Sequence, residues 1–344
     1  MASVWDIWSG TPKIEVHPPP PKSMHTANPS PLLALLLLSL AGCGWAQTSP
    51  ISQRFETRTF GHDEIERTYH ITHPSGFDRN RLWPLVLAFH GGGGAGRQFD
   101  RNTGGTLLRA ADQLGFLAVF PEGVNRVWND GRTAPGIPDR TGTDDVRFIS
   151  LLIDHLIAQE AVDPKRVFAT GISNGGFFSF RLGCDLPEKI AAIAPVAACM
   201  PLLLANRHPR RTVSVLVMNG TEDPMVPYEG GEVRLTRLGR SRGRILSTDD
   251  SIRFWTQQNS CESPPIRSSL PDLDPGDQTR VYLERFPGGR NSTEVLLYRI
   301  EGGGHTWPGG EGNLPSRWVG RICRDINASR IILKFFQNHP QSEE

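Results

Sequence analysis

The fold is decided by residues 166–176, which read RVFATGISNGG. Its first part, Val167 to Ala169, is short and apolar with no helical period, which predicts a buried strand. The next residues spell G-x-S-x-G around Ser173, and residues 177–182 continue as a predicted helix. A strand, a tight turn that carries a serine, and a helix together form the context in which this pattern indicates a nucleophile.

Glycine and serine are also common in ordinary turns, so the pattern at Ser173 is weak by itself. A serine nucleophile needs a base, an acid that orients the base, and donors for the developing oxyanion. The predicted helix after Ser173 would aim backbone N–H groups and partial positive charge at such an anion.

Candidates for the acid and the base each follow a predicted strand. The apolar strand 214–218 is followed by NGTEDP, which contains Glu222 and Asp223, and the strand 295–300 leads through three glycines to His305. Open α/β sheets place their sites at this edge of the sheet. The chain order serine, aspartate, histidine is that of α/β-hydrolases and differs from the orders of chymotrypsin and subtilisin. The glycines are expected to let the histidine swing toward the serine.

Two neighbouring carboxylates compete for the role of the acid. Asp223 is favoured because it precedes Pro224, where the chain is biased toward an extended or turn conformation that holds a short side chain well. Glu222, one residue earlier, is expected to point to solvent.

The segment HGGGGAG at residues 90–96 has two interpretations. It fits the G-x-G-x-x-G dinucleotide fingerprint, with the strand 116–120 and Glu122 downstream, and this would make the chain an NAD(P)-binding reductase. Against this, residues 100–105 look like a loop where a Rossmann helix should run, and no second nucleotide-binding half is evident. The favoured interpretation is the HGGG-type loop of esterases, which donates a backbone N–H to an oxyanion. A non-catalytic carbohydrate-binding lipoprotein is a third hypothesis.

Strands and helices alternate along the rest of the chain, which predicts a mainly parallel sheet with helices on both faces, the α/β class. Further predicted strands cover residues 55–60, 64–71, 85–89 and 190–198, and further predicted helices cover residues 144–159, 248–258 and 325–336. Asp144 and Asp145 favour the start of the first of these helices. The segment 121–139 is predicted as a surface loop, and the basic segment 234–244 as a solvated loop.

The N-terminal region has the features of an export signal. Residues 32–40 are apolar but too short to span a bilayer, and they end at LAGC, which resembles a lipobox with Cys43 as the lipidated residue. Cleavage after Ala46 is the rival that would give a soluble protein, and translation could start at Met1 or Met24. We therefore predict an extension and signal over residues 1–46, a single catalytic domain over residues 47–344, and an exported protein that is an envelope lipoprotein, secreted or periplasmic.

The composition of the 344-residue chain narrows its partners. A net charge of +1 gives no reason to expect nucleic acid as a partner. Without Cys43, four cysteines remain, an even number in an oxidising compartment, and three disulfide pairings among them stay open: Cys184, Cys199, Cys261 and Cys323. No C-x-x-C or histidine–cysteine cluster predicts a metal site, and the chemistry requires no cofactor. Contact with a membrane is expected only through the lipid anchor.

Several phrases in combination resemble the esterase/polyhydroxybutyrate-depolymerase family of α/β-hydrolases, which includes LpqC-like lipoproteins and feruloyl and acetylxylan esterases of the carbohydrate esterase type. The phrases are LAFHGG (87–92), GVN (123–125), WNDG (128–131), TGISNGG (170–176), AAIAPVA (191–197), NGTED (219–223), VPY (226–228) and GHTWPGG (304–310). The resemblance runs from about Arg54 to Pro340. It departs from the family at Asn219, where relatives often have histidine. We also expect no separate polymer-binding domain after the catalytic domain, and this expectation argues against attack on crystalline polyester.

The resemblance implies an α/β-hydrolase fold with a strand–turn–helix nucleophile elbow and specific residue roles. Ser173 would be the nucleophile, His305 the base and Asp223 its partner, with the backbone N–H groups of Gly92 and Asn174 as the oxyanion hole. The expected substrates are small-molecule or oligomeric esters with short-chain, hydroxyalkanoate or feruloyl/acetyl-type groups. We further predict that Trp128 and Trp307 wall an aromatic substrate pocket.

Overall fold

The computed structural model describes residues 55–62, 65–132, 142–234, 239–312 and 314–342. The strands within these ranges are β1 Glu56–His62, β2 Ile65–Thr72, β3 Trp83–Phe89, β4 Leu117–Pro121, β5 Val162–Ile172, β6 Ala192–Val196, β7 Ser214–Gly220, β8 Gly231–Glu232, β9 Arg244–Ile245, β10 Ile266–Ser269, β11 Arg280–Phe286 and β12 Val295–Glu301. The α-helices are α1 Gly96–Asn102, α2 Thr106–Leu114, α3 Asp145–Gln159, α4 Asn174–Asp185, α5 Thr248–Asn259, α6 Ser316–Val319 and α7 Ala328–Asn338.

Ten of the described strands form one sheet in the order β1-β2-β4-β3-β5-β6-β7-β12-β11-β10. The run from β4 to β12 pairs in parallel, whereas β1 and β2 on one edge and β11 and β10 on the other pair antiparallel. Strands β8 and β9 form a separate two-stranded ribbon. The prediction of a mainly parallel sheet is therefore confirmed.

Alternation along the central strands divides the core between the two faces of this sheet. In β3, Leu85, Leu87 and Phe89 belong to one cluster of buried side chains, while Val86 and Ala88 belong to another. Successive side chains of a strand point to opposite faces, so the two clusters are the two layers beside the sheet. Helices α3, α4 and α5 supply buried residues to the first cluster, and α1, α2 and α7 supply the second. Helices therefore cover both faces, as predicted.

The capping residues explain where two of the predicted helices begin. Asp144 is the N-cap of α3 and accepts a hydrogen bond from the backbone N–H of Arg147. Ser247 plays the same part for α5 and accepts from the N–H of Asp250 at 2.9 Å. Asp145 behaves differently from the expectation, because it is fully buried and pairs with Arg67 at 2.9 Å. Burial raises the pKa of Asp145, against the lowering effect of the Asn129 N–H and Arg67.

The segment after the glycine loop corrects one prediction. Helix α1 begins at Gly96, so residues 100–102, predicted as loop, are helical, and a short helix does follow the glycines. Asp100 is buried, and its carboxylate accepts hydrogen bonds from the N–H of Leu108 at 3.0 Å and the hydroxyl of Thr103 at 3.1 Å. Asp100 thus supports the start of α2, which the sequence analysis did not predict.

The four described cysteines are free thiols, so the expected pairing among them is wrong in this structure. Cys184, Cys199 and Cys261 lie with the first cluster and Cys323 with the second, so the sheet separates Cys323 from the others. Burial raises the pKa of Cys199 to about 12 and that of Cys261 to about 11. These thiols are therefore packed, protonated groups at neutral pH.

Predictions for the N-terminus, including Cys43, Met24 and the boundary at residue 47, lie outside the described residues. Among the residues that are described, no helix is long and apolar enough to cross a membrane.

Candidate active site

Ser173 lies in the turn between β5 and α4 with a backbone conformation that few residues other than glycine adopt. Its dihedral angles are φ 56° and ψ −119°. The Ser173 N–H donates to the carbonyl of Val196 at 3.0 Å, and its carbonyl accepts the N–H of Phe177 at 2.8 Å. Its hydroxyl makes no hydrogen bond to any described residue. The turn therefore fixes the backbone of Ser173 and leaves its oxygen available.

The glycines around Ser173 are required by close backbone contacts. A Cβ atom on Gly175 would lie 2.1 Å from the carbonyl oxygen of Phe89, and one on Gly171 would lie 2.6 Å from the same atom. Neither contact can be relieved by moving a side chain, because Phe89 O is backbone. The turn thus packs against the end of β3, and this packing holds the strained serine.

His305 and Asp223 form the hydrogen-bonded pair that a serine nucleophile needs. The Nδ1 atom of His305 lies 2.7 Å from Oδ2 of Asp223, and both side chains are buried to at least nine tenths. The other oxygen of Asp223 accepts the backbone N–H groups of Met225 and Val226, each at 2.8 Å. Asp223 is therefore an acceptor on both oxygens, which keeps the proton on Nδ1 and a lone pair on Nε2 of His305.

Glu222 takes no part in this pair. Its carboxylate bonds to the guanidinium of Arg321 at 2.6 Å, and its side chain is 61% exposed. The prediction that Glu222 faces solvent is confirmed, and Asp223 is the carboxylate that contacts the histidine.

The glycines before His305 provide close packing instead of the expected mobility. A Cβ atom on Gly304 would lie 2.1 Å from the carbonyl oxygen of Val319, and one on Gly303 would lie 2.5 Å from Cγ2 of Ile300. The N–H of His305 donates to the Val319 carbonyl at 2.5 Å. The backbone of His305 is thus held between β12 and the end of α6.

The glycine loop runs beside the serine turn, where the sequence analysis placed an oxyanion hole. An ideal Cβ on Gly91 would lie 3.6 Å from Cβ of Ser173, and one on Gly92 would lie 3.6 Å from Cβ of Asn174. Asn174 is the first residue of α4, so its N–H has no partner within the helix. No backbone acceptor among the described residues binds the N–H of Gly92 or Asn174. The N–H groups of Gly92 and Asn174 thus lie on two segments that meet beside the serine turn, and no described backbone carbonyl occupies either of them.

Trp128 lies beneath the site instead of lining it. Its side chain is 1% exposed, stacks on Phe178 at 5.1 Å and donates its indole N–H to the carbonyl of His90 at 3.2 Å. The Trp128 backbone also exchanges two hydrogen bonds with the buried side chain of Asn174, at 2.8 and 3.1 Å. Trp128 is thus an anchor for the residues around the oxyanion hole.

Trp307 is also a packing residue, so the prediction of a pocket walled by Trp128 and Trp307 is wrong in this structure. Its side chain is 3% exposed, meets Phe99 edge to face at 5.4 Å and bonds to the hydroxyl of Ser329 at 3.0 Å. Trp307 belongs to the second cluster and Trp128 to the first, so they lie on opposite faces of the sheet. An aromatic residue in a loop is as often an anchor as a pocket wall, and the sequence carried no signal to separate the two.

Two supporting residues were missed by the sequence analysis. His90 is buried; its Nδ1 lies 2.8 Å from the carbonyl oxygen of Gly91, and its Nε2 accepts the N–H of Gly123 at 3.0 Å. Burial lowers the pKa of His90, so the imidazole is neutral and holds the loop in place. Asp130 accepts from the Asn174 amide at 2.5 Å and pairs with Arg132 at 2.7 Å. Both lie in motifs quoted above, but nothing in the sequence distinguished a support from a contact with substrate.

The structure argues against the dinucleotide-binding hypothesis, because the acidic residue that this hypothesis requires is engaged by other residues. Glu122, which would bind a ribose, lies 2.9 Å from Nε2 of His70 and accepts the N–H of Arg97 at 3.3 Å. The glycine loop itself faces Ser173 and Asn174. The segment therefore serves the serine turn.

Comparisons with known proteins show which proteins the chain resembles. No protein-family model matches the chain. A protein of Nocardia uniformis subsp. tsuyamanensis that bears the name "Putative esterase NocK" is 28% identical over 257 residues, which is 73% of this chain and 73% of that protein. Feruloyl esterase B of Piromyces equi is 30% identical over 243 residues, which is 68% of this chain and 42% of that protein. The match therefore spans most of one relative and less than half of the other.

Among solved structures, one named for a dipeptidyl aminopeptidase IV of Bacteroides ovatus has a TM-score of 0.51 at 14% identity. It covers 83% of this chain and 36% of its own. At this identity the likeness concerns the fold alone. The chain is therefore similar in sequence to proteins named as esterases, and its sheet and serine turn have the arrangement of the α/β-hydrolase fold.

Proposed function

We propose that this chain is a serine ester hydrolase that works through an acyl-enzyme on Ser173. The observation that carries the proposal is the His305–Asp223 pair at 2.7 Å, in a fold that also presents Ser173 on a strained turn. The substrates we propose are soluble esters with feruloyl, acetyl or other short acyl groups. Hydroxyalkanoate esters, the substrates of polyhydroxybutyrate depolymerases, are a further possibility to be tested beside them.

Acylation follows from the protonation state of the pair. Nε2 of His305 takes the hydroxyl proton of Ser173 as the oxygen attacks the ester carbonyl carbon. The carbonyl electrons move onto oxygen, where the N–H groups of Gly92 and Asn174 stabilise the charge, each donor contributing about 3 kcal/mol. Asp223 stabilises the imidazolium through the Nδ1–H bond. The tetrahedral intermediate then expels the alcohol, which leaves with the proton from Nε2.

Deacylation repeats these steps with water in place of serine. Nε2 of His305 removes a proton from water, the oxygen attacks the acyl carbon, and Ser173 leaves with that proton as the acid is released. The residues therefore return to their starting protonation state after each turnover.

The apolar side chains proposed to recognise the acyl group lie on the segment that supports His305. Trp318 is 55% exposed and Leu314 is 47% exposed. Trp318 directly precedes Val319, whose carbonyl accepts the N–H of His305. An exposed indole on the segment that holds the His305 backbone offers a face for stacking on an aromatic acyl group. We propose that Trp318 takes the role expected of Trp128 and Trp307.

Export and lipidation at Cys43 remain proposals. They rest on the apolar run at residues 32–40 followed by LAGC. They concern where the enzyme acts and do not affect the chemistry at Ser173.

The test is covalent labelling followed by a substrate panel. A fluorophosphonate probe should label the wild-type chain and fail to label Ser173→Ala, while the control Ser268→Ala, changed on the edge strand β10, should be labelled as wild type. Side-by-side rates on p-nitrophenyl acetate and butyrate, methyl ferulate, acetylated xylan and 3-hydroxybutyrate oligomers then rank the acyl groups. Labelling that persists in Ser173→Ala would contradict the proposal and mean that another residue is the nucleophile. Absence of labelling in the wild type would contradict it and leave a non-catalytic binding protein as the better hypothesis.

A further inference from the structure

A second group of reactive side chains lies away from the serine turn, where the loop before β11 meets the segment between α6 and α7. It consists of Asp277, Cys323 and Asp325, whose ligand atoms all lie within 4.8 Å of one another. All three are buried, with exposed fractions of 8%, 1% and 5%. Two carboxylates and a thiol in one buried place are unusual unless something compensates them.

Backbone N–H groups fix the directions of both carboxylates. Asp277 accepts from the N–H of Thr279 at 2.7 Å and that of Arg324 at 2.6 Å, one on each oxygen. Oδ1 of Asp325 accepts from the N–H of Leu273 at 2.7 Å and that of Asp274 at 3.1 Å. These bonds orient the carboxylates and leave one Asp325 oxygen to be explained.

That oxygen is the observation that points to a ligand. Oδ2 of Asp325 is buried and has no hydrogen-bond partner, and the hydroxyl of the 1% exposed Thr279 is in the same state. Buried polar atoms nearly always have a partner, so an unpartnered carboxylate oxygen in a folded protein indicates an ion or water. Thr279 borders the group, because its backbone N–H donates to Oδ1 of Asp277 at 2.7 Å. The unpaired oxygens and the clustered ligands thus belong to one place.

We propose that Asp277, Cys323 and Asp325 bind a divalent transition-metal ion, and that zinc fits this donor set best. Zinc accepts thiolate and carboxylate ligands together in a four-coordinate site, whereas calcium prefers six to eight oxygens and magnesium an oxygen octahedron. Tetrahedral zinc with its usual bond lengths places donors about 3.4–3.6 Å apart. The present donors, at most 4.8 Å apart, need to approach by up to about 1.4 Å, and a water or Thr279 can supply the fourth ligand.

Binding would exchange a proton for the metal ion. The ion displaces the thiol proton of Cys323 to solvent as the metal–sulfur bond forms, with no change in oxidation state.

The ion would support the His305 loop without touching the substrate. The segment that carries Cys323 also receives the N–H of Gly304 at the Arg321 carbonyl, 2.9 Å, and the N–H of Gly309 at the Cys323 carbonyl, 2.8 Å. A metal bridging this segment to the loop of Asp277 would add to the hydrogen bonds that already join the two stretches. The expected role is structural.

The experiment uses the full chain, stripped with a chelator and titrated with Zn²⁺ or Co²⁺. We expect one equivalent of metal per chain, a thiolate-to-cobalt absorption band in the near ultraviolet, and a Tm increase of about 5 °C at a hundredfold excess of zinc over its Kd. Cys323→Ser should abolish the absorption band, and Asp325→Asn should weaken binding more than tenfold. The control Cys261→Ser removes a half-buried thiol outside the group and should bind metal as wild type.

Two binding results and one stability result would overturn the proposal. The binding results are less than a stoichiometric amount of bound metal in the wild type, or wild-type affinity in both Cys323→Ser and Asp325→Asn. Asn at position 325 still accepts the N–H groups of Leu273 and Asp274, so this variant should fold. The stability result is a Tm that Asp325→Asn raises equally with and without zinc, because the group is then only a buried acidic pair. These readouts are independent of ester hydrolysis.

Discussion

Replacing Asp223 with asparagine should disable the base while leaving the fold intact. Oδ1 of Asp223 receives two backbone N–H groups, from Met225 and Val226. The carbonyl oxygen of an asparagine must take that place, because its NH₂ group cannot accept them. The NH₂ group then faces Nδ1 of His305 and forces the proton onto Nε2, where it blocks proton transfer from Ser173.

The expected loss of kcat/KM follows from the free-energy cost of turning the introduced asparagine amide the other way round. Turning the amide around restores the useful tautomer but leaves two buried N–H groups without an acceptor, at about 1–3 kcal/mol each. A total of about 2–6 kcal/mol corresponds to a loss of roughly 30-fold to 10⁴-fold in kcat/KM. The same type of change in a serine protease lowers kcat about 10⁴-fold, at the upper end of this range.

The assay is kcat/KM on p-nitrophenyl acetate together with the Tm of each variant. The matched control is Glu222→Gln, which removes an exposed ion pair with Arg321 and should keep activity within a few-fold of wild type. A loss of less than tenfold in Asp223→Asn at unchanged Tm would refute the reasoning. An inactive Glu222→Gln with an active Asp223→Asn would reverse the assignment, and loss in neither would mean that another acid serves His305.

Three further expectations concern the glycine turn, the two tryptophans and the N-terminal cysteine. Gly175→Ala should yield little folded protein, because its Cβ meets the Phe89 carbonyl at 2.1 Å, whereas Gly61→Ala, with nothing within 4 Å, should fold normally; soluble yield and Tm distinguish them. Trp307→Ala should lower the free energy of unfolding by about 3–5 kcal/mol and change kcat/KM by the same factor for every ester. Trp318→Ala should change kcat/KM by different factors for different acyl groups. An uneven effect of Trp307→Ala would restore the pocket prediction. Metabolic palmitate labelling should mark the wild type and not Cys43→Ala; unlabelled wild type cut after Ala46 would exclude the lipid anchor.

The central strands and the triad candidates could be predicted because their signals are local. The run Val167 to Ala169 is apolar over a strand's length, and β5 contains it. Ser173, Asp223 and His305 each follow such a run, and parallel strands bring their carboxyl ends to one edge of the sheet. The structure supports the predicted partner of the histidine through the contact between Asp223 and His305.

The sequence could not predict against which face of the sheet the side chain of a loop residue packs. Trp128 and Trp307 both follow predicted strands and both are aromatic, yet one packs on Phe178 and the other on Phe99. Their burial depends on helices distant in sequence, and no local period reports it. The same applies to Asp277 and Cys323, which come together only because the loop before β11 meets the segment after α6.

Strands β10 and β11, at one edge of the sheet, were missed for a related reason. Strand β10 is exposed along its whole length, and β11 is only partly buried, so neither has the alternation of a half-buried strand. Their positions are set by pairing with β12, a long-range interaction.

The conformation of Ser173 has a consequence for protein engineering. Dihedral angles of φ 56° and ψ −119° suit glycine far better than serine, at a cost of about 1–3 kcal/mol to the folded state. Glycine at this position would recover part of that energy, less about 0.5–1 kcal/mol for its own chain entropy. A directed-evolution campaign that selects survivors of heating without measuring turnover would therefore enrich Ser173→Gly. A substitution that raises stability at Ser173 therefore removes activity. Variants of this chain selected for thermal stability should each be assayed for ester hydrolysis as well.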